Sequence, residues 1–459
     1  MPSLSEFLKK LKEIAPVRLI VSSFFLIIVV GTILLMLPIS SRGGRPTSLV
    51  DSLFTSTSAT CVTGLVVFDT WTHWSTFGQV VILMLIQIGG LGLVTFTTGF
   101  NLLLRRKLGF RELLIARESA SGNSMNVVHL IKMILKFTVS CEGAGAILLM
   151  FRFVPQFGPK GIWIAVFESI SAYCNAGFDI LGFVEPDASL MNYVDDPLVS
   201  LTISFLIILG GLGFVVISDI FYSQIVPRFK KEKRVRLNFH SSTVLITTGV
   251  LLVLGTVLYF CCEYDNTMKN MHFLTRLNAA FFQSVNARTA GFASINIAAE
   301  HDFTKIVTVI LMFIGASPAS TGGGIKTTTL IVLVAAVCSV MSGSEDAVFW
   351  HRRIEKATVY RALAIFTTAM LLVLITTGII LSTNSVPIGG VDALFEAASA
   401  FGTVGLSAGV TPVLSVPSKL AVIVTMFIGR VGPVSLAMAI TIRRHAAGAV
   451  LPEGKLIVG

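Results

Sequence analysis

The chain has 459 residues, of which 54% are hydrophobic and only 13% charged, with a formal charge of +10; a soluble domain carries roughly 25% charged residues. That composition excludes a water-soluble fold and reads as an integral membrane protein. Runs long enough to cross about 30 Å of hydrocarbon lie, in chain order, at 19–37, 77–104, 127–151, 198–217, 244–260, 306–314 with a continuation after Lys326, 362–381 and 420–442. The first exceeds a signal-peptide core and no small-residue cleavage site follows it, so a retained helix is expected there. The run at 127–151 carries His129, Lys132, Lys136 and Glu142; it is read as a span because the repeat below requires a helix at that place.

The basic residues fall between alternate pairs of runs. Four lie in 1–18, five in 101–126, six in 222–239, four in 342–361 and three in 442–459, while the loops at 39–75, 151–196, 263–301 and 382–418 hold seven between them. The positive-inside rule then places both termini in the cytoplasm. A nucleic-acid surface would cluster its basic residues with aromatics on one face, so no nucleic acid is expected as partner.

Between the runs, four short segments repeat: 54–65 (FTSTSATCVTGL), 167–178 (FESISAYCNAGF), 282–292 (FQSVNARTAGF) and 395–406 (FEAASAFGTVGL). They place Gly64, Gly177, Gly291 and Gly405 at intervals of 113, 114 and 114 residues, the third copy lacking one residue. A fixed period is the signature of repeated structure. The helical part of each, 48–60 or 161–173 for example, is about a dozen residues, roughly 18 Å at 1.5 Å per residue, too short to cross. A segment that enters and leaves on the outer side is a re-entrant helix, allowed only where its end is buried in protein or lines water. The expected fold is an all-α integral membrane protein of four tandem repeats, each span, pore helix, span. That gives eight transmembrane helices and four re-entrant pore helices, pseudo-fourfold about a central pore. Repeat boundaries fall at 1–110, 111–229, 230–345 and 346–442, with a tail at 443–459.

Four half-helices converging by their C-terminal ends bring partial negative charge and free carbonyls to one axis, which favours a cation. The triplets that follow, Val62-Thr63-Gly64, Asn175-Ala176-Gly177, Thr289-Ala290-Gly291 and Thr403-Val404-Gly405, are expected to be extended and to offer backbone C=O in place of hydration water.

The spans after the filter segments carry Gly89-Gly90-Leu91-Gly92, Gly210-Gly211-Leu212-Gly213 and Gly429-Arg430-Val431-Gly432. For the first two copies, close packing of helices about a crowded centre is the simplest account. The third repeat substitutes Gly315, Ala316, Ser317, Pro318, Ala319, Ser320, Thr321, Gly322, Gly323, Gly324, Ile325 and Lys326. Pro and Gly among Ser and Thr cannot hold a helix, so this span is expected to break beneath the filter and act as a gate. Its GIKT fails the GxxxxGK[ST] phosphate-loop order, which excludes nucleotide binding there. Arg430, mid-span, is either an electrostatic barrier below the filter or a structural partner of a carboxylate such as Glu142 or of helix-end carbonyls.

Cys61, Cys141, Cys174, Cys261, Cys262 and Cys338 show no metal spacing. Neither HExxH, GxSxG nor paired catalytic carboxylates occur, so no enzyme is expected. A midplane acidic relay for an H+- or Na+-coupled symporter is thin, with Glu142 its main element.

The CVTG, CNAG, RTAG and GTVG segments, the GGLG spans, GASPASTGGGIKTTT and MFIGRVGP resemble the membrane subunit of Ktr-type potassium transporters, in the wider Trk/Ktr/HKT superfamily, over nearly the whole chain. The resemblance implies K+ as the transported ion and one filter Gly per repeat at 64, 177, 291 and 405; the expected activity is passive, gated K+ movement, with Na+ as an accessory ion. It also implies a gating loop at 315–326 and a filter-proximal arginine at 430. In that family Ser at the first filter Gly accompanies Na+ permeability, so Gly64 favours K+. The start of the first span near Leu19 resembles the Ktr type, since Trk-type subunits carry two more N-terminal helices. The family implies a homodimer on a cytosolic ring of RCK-type regulatory subunits in the bacterial cell membrane. No dinucleotide fingerprint occurs in this chain, so ATP or ADP would bind only the partner.

Overall fold

The computed structural model describes residues 16–92, 127–231, 235–344 and 346–441, and among these the regular structure is helical apart from one two-stranded ribbon at 348–353. Long and short helices alternate. The first repeat has α1 (Pro16–Met36), α2 (Leu49–Cys61) and α3 (Thr76–Leu91); the second α4 (Val127–Phe157), α5 (Lys160–Tyr173), α6 (Pro197–Gly211) and α7 (Phe214–Ile220). The third has α8 (Phe239–Glu263), α9 (Phe273–Asn286), α10 (Asp302–Phe313) and α11 (Thr327–Met341); the fourth α12 (Lys356–Thr383), α13 (Gly390–Gly402), α14 (Val416–Val431) and α15 (Pro433–Thr441). Among the described residues, Ile131–Phe157, Phe239–Glu263 and Lys356–Thr383 are each long and apolar enough to cross a membrane unaided. The part of the expected 77–104 run beyond Gly92, and the tail at 443–459, lie outside the described residues.

Helix starts follow local chemistry. Ser48 Oγ accepts from Asp51 N at 3.1 Å and begins α2. Asp196 Oδ1 accepts from Leu198 N at 3.0 Å, with Pro197 at the first helical position of α6; both are favoured N-terminal arrangements.

In the first three repeats the long helix receives its short helix through a serine; the fourth has Ala397 at that position. Ser56 Oγ donates to Ile28 O (2.8 Å), Ser169 Oγ to Glu142 O (2.6 Å) and Ser284 Oγ to Leu252 O (2.8 Å). A Cβ on Gly31, Gly145 or Gly255 would strike these same hydroxyls or the leucines beside them, so small residues set the approach. On the other side, a Cβ on Gly89, Gly210 or Gly429 would strike the carbonyls of Thr60, Tyr173 and Phe401 at the ends of α2, α5 and α13. Close packing thus accounts for the first Gly of each cluster.

It does not account for the last. Gly92, Gly213 and Gly432 stand at φ of +77°, +89° and +89°, where a side chain is strained; Gly92 and Gly432 cap the ends of α3 and α14, and Gly213 lies in the break between α6 and α7. The runs at 198–217 and 420–442 are therefore not continuous helices as the sequence suggests. α6 and the helix after Gly213 meet at 97°, and α14 stops at Val431 before Pro433 opens α15. The third repeat breaks as expected, between Phe313 and Thr327.

Side-chain clasps join the second span of each repeat to the short helix of the next. Trp163 Nε1 donates to Gln79 Oε1 (3.0 Å), and Asn278 Nδ2 to Ser200 Oγ (2.7 Å). Lys305 Nζ meets Asp392 Oδ1 (2.7 Å), and Lys419 Nζ meets Asp51 Oδ1 (2.7 Å). The last closes the fourth repeat on the first. Its side chains are 13% and 17% exposed, sheltered enough for a charged hydrogen bond to contribute roughly 1–3 kcal/mol. Lys419→Met should lower thermal stability in detergent by that order, and adding Asp51→Asn should recover part of the loss by removing the stranded carboxylate. Equal melting of wild type and Lys419→Met would show the clasp to be idle.

Candidate functional site

The four short helices end at a common ring. A Cβ placed on Gly64 would strike Ala176 O and lie 3.2 Å from Gly177 Cα. On Gly177 it would lie 2.5 Å from Ala290 O and 2.7 Å from Gly291 Cα; on Gly291, 2.5 Å from Val404 O and 3.2 Å from Gly405 Cα. On Gly405 it would strike Thr63 O and lie 2.9 Å from Gly64 Cα. The contacts run 64 to 177 to 291 to 405 and back to 64. The four glycines encircle one axis, each against the carbonyl that precedes its neighbour.

The triplets are not extended throughout. Val62, Asn175, Thr289 and Thr403 have φ of +58°, +59°, +70° and +49°, so the first residue of every triplet is left-handed. This turn reverses the chain out of each helix end and aims the next two residues along the axis. For β-branched Val62, Thr289 and Thr403 it is a strained conformation, tolerated because the surroundings fix it.

What fixes it is a side chain one turn back. Gly64 N donates to Ser58 Oγ at 3.1 Å while Ser58 Oγ donates to Leu65 O at 2.7 Å. Ser171 Oγ donates to Phe178 O at 2.6 Å, Gly405 N donates to Ser399 Oγ at 3.1 Å, and in the third copy Phe292 N donates to Asn286 Oδ1 at 3.3 Å. Sequence reasoning passed over these struts, although the signal was there: the fifth position of the four segments reads Ser, Ser, Asn, Ser. Second-position carboxylates brace the outer side. Ile180 N donates to Glu168 Oε1 at 3.0 Å, and Ser407 Oγ to Glu396 Oε2 at 2.9 Å.

Outside the ring lies a cavity of about 280 Å³, lined by Gly64, Gly177, Gly291 and Gly405 and by Asp69, Asp179 and Asp187. Burial, then the nearby Asp69, pushes the Asp179 carboxyl up to about 7, and the same two causes raise Asp187.

On the other side, the segment from Ile314 to Lys326 crosses directly against the left-handed residues. Thr321 Oγ1 donates to Asn175 Oδ1 at 3.1 Å; a Cβ on Gly322 would strike Thr289 Oγ1, and one on Gly323 would strike Thr403 Oγ1. Backbone bonds dock it on the break in the second repeat: Ser317 N to Gly211 O (3.1 Å), Thr321 N to Gly210 O (3.3 Å) and Phe214 N to Ala319 O (2.8 Å). Lys326 Nζ turns back to Gly322 O at 2.7 Å. Arg430 donates to Thr321 O and to Gly89 O, joining the crossing segment to the first repeat. Of the partners weighed from sequence, carbonyls hold Arg430. Glu142 is engaged elsewhere, accepting from Gln87 Nε2 at 3.0 Å behind the second short helix.

Fold and ring together define a class: an all-α membrane transporter in which one chain brings four helix ends to a narrow glycine-lined aperture. The sequence matches the family described as TrkH, cation transport protein, over residues 10–447, and the chain belongs to that family. It is 39% identical over 448 residues to the Ktr system potassium uptake protein B of Bacillus subtilis, covering 97% of each chain. It is 38% identical over 455 residues to the potassium/sodium uptake protein NtpJ of Enterococcus hirae, covering 98% of each. The crystal structure of the potassium transporter TrkH from Vibrio parahaemolyticus shares the fold with a TM-score of 0.69 at 18% identity, over 92% of this chain and 85% of that one.

Proposed function

We propose that this chain is the pore-forming subunit of a Ktr-type system that takes up K+ across the bacterial cell membrane. The observation that carries the reading is the closed ring of Gly64, Gly177, Gly291 and Gly405, each set against a neighbour's backbone carbonyl. The triplets ending in those glycines form the selectivity filter. Their carbonyls replace the hydration shell of a dehydrated cation, and the four helix ends behind them supply negative potential. The full-length relatives named for potassium uptake support K+ as the ion, and the potassium/sodium name of another makes Na+ the accessory ion to test.

The segment 315–326 is the gate. It lies under three of the four filter strands, in a backbone that no helix ladder holds, and Arg430 adds both a tether and a positive charge below the filter. Flow is passive and gated, down the electrochemical gradient. The four repeats are the functional units, with 230–345 carrying the gate. The chain works as a homodimer with both termini cytoplasmic. It sits on a cytosolic RCK-type ring that binds ATP or ADP; the Ktr-system names of relatives support the presence of a second component. Rescue of K+-uptake-deficient bacterial cells at low external K+, with and without a ring subunit, tests ion and partner together. Failure of the expressed chain to restore growth both with and without the ring subunit contradicts the reading.

The outer carboxylates concentrate cations before entry. Asp179, raised to about 7 by burial and Asp69, is charged above that pH and neutral below it. Lowering external pH from 8 to 6 should therefore raise the KM for K+ about threefold, and Asp179→Asn should give the raised KM at both pH values. A KM independent of pH in the wild type would refute this.

A further inference from the structure

Arg288, directly before the third triplet, is a buried cation with no ion-pair partner among the described residues. It is 7% exposed, its Nε has no hydrogen-bond partner, and none of the ion pairs among the described residues includes it. The other deep cations are provided for: Lys326 and Arg430 by carbonyls, Lys305 and Lys419 by aspartates. An arginine cannot shed its charge, and a buried unpaired charge is strongly unfavourable.

Arg288 lines a cavity of about 20 Å³ together with Gly211, Thr248, Leu252 and Ala316. Thr248 is 6% exposed, and its Oγ1 also lacks a partner. Both residues thus line one small space whose other walls are apolar or backbone. A cavity above roughly 10–15 Å³ accommodates one water-sized particle. Both orphans can donate, and the guanidinium brings a full positive charge; a neutral water would accept the hydrogen bonds but leave the charge uncompensated.

We propose that this cavity is a binding site for one monatomic anion of chloride size, held by Arg288 and Thr248 between the second and third repeats. Because Ala316 of the crossing segment forms part of the wall, the bound anion packs against the proposed gate. The inference rests on the orphaned groups and the cavity, and it stands whether or not the gate reading does.

The test uses the full-length protein in detergent, melted in sodium chloride or sodium gluconate at equal ionic strength. The wild type should melt at a higher temperature in chloride, with a shift that grows logarithmically with chloride once the site fills, and bromide should substitute. Thr248→Val, which keeps the side-chain volume, should shift that dependence to about tenfold higher chloride, and Arg288→Gln should abolish it. In crystals grown with bromide, an anomalous peak should stand beside Thr248. The proposal is overturned if wild-type melting is the same in both salts, if the two variants keep the wild-type shift, or if bromide gives no peak and the cavity holds a water only. Should Arg288→Gln fail to fold, Thr248→Val and the bromide peak decide.

Discussion

Gly177→Ala should reduce K+ uptake by about 100-fold and erase most discrimination against Na+. Gly177 stands at φ +67°, where an alanine costs roughly 1–2 kcal/mol. Its new methyl would lie 2.5 Å from Ala290 O and 2.7 Å from Gly291 Cα. Both obstacles are backbone of the neighbouring strand, so no rotamer relieves them and the ring itself must widen or turn. A carbonyl cage tuned to one ion then loses oxygens or spacing. A loss of about 2.7 kcal/mol in the favourable passage of K+ corresponds to the 100-fold effect. Gly64→Ser, whose Cβ would strike Ala176 O, should likewise weaken discrimination against Na+. Tracer uptake of K+ and Na+ in K+-uptake-deficient cells measures both quantities, with membrane expression checked by immunoblot. Wild-type rate and ion ratio in Gly177→Ala would remove this residue from the filter.

Arg430→Ala should move flux the other way, raising K+ uptake on the order of tenfold. Two effects add. The guanidinium bonds Thr321 O in the crossing segment and Gly89 O in the first repeat, so its loss frees one attachment of the segment. It also removes a positive charge from the inner side of the filter, which opposes the entry of a cation. Arg430→Lys separates the two, because it keeps the charge but cannot fork between two carbonyls. Wild-type flux in Arg430→Lys assigns the effect to charge; flux like that of the alanine variant assigns it to the tether. Shortening the segment across 317–324 should also raise flux. Unchanged flux in Arg430→Ala would defeat both accounts.

Much of this arrangement was legible in the chain because it is written four times. The period, the length of the half-helices and the break in the third repeat all follow from patterns that any single copy would leave ambiguous. The short helix expected at 48–60 lies at Leu49–Cys61 and that expected at 161–173 at Lys160–Tyr173. The left-handed turn was not legible, since Val62 and Thr403 are β-branched and local preference opposes it; the ring imposes what the residue disfavours. The breaks at Gly213 and Gly432 were hidden for a different reason. Apolar composition continues across them, and a hydropathy run does not distinguish a straight helix from one bent by 97°. The clasps were hidden because the same job is done by Trp with Gln, Asn with Ser, and Lys with Asp, between residues 78 to 368 positions apart.

The join between Asp51 and Lys419 spans 368 positions, so it forms only after nearly the whole polypeptide has left the ribosome. A chain that stops short of Lys419 lacks the partner for Asp51, so this seam of the ring is the last to be fastened during synthesis.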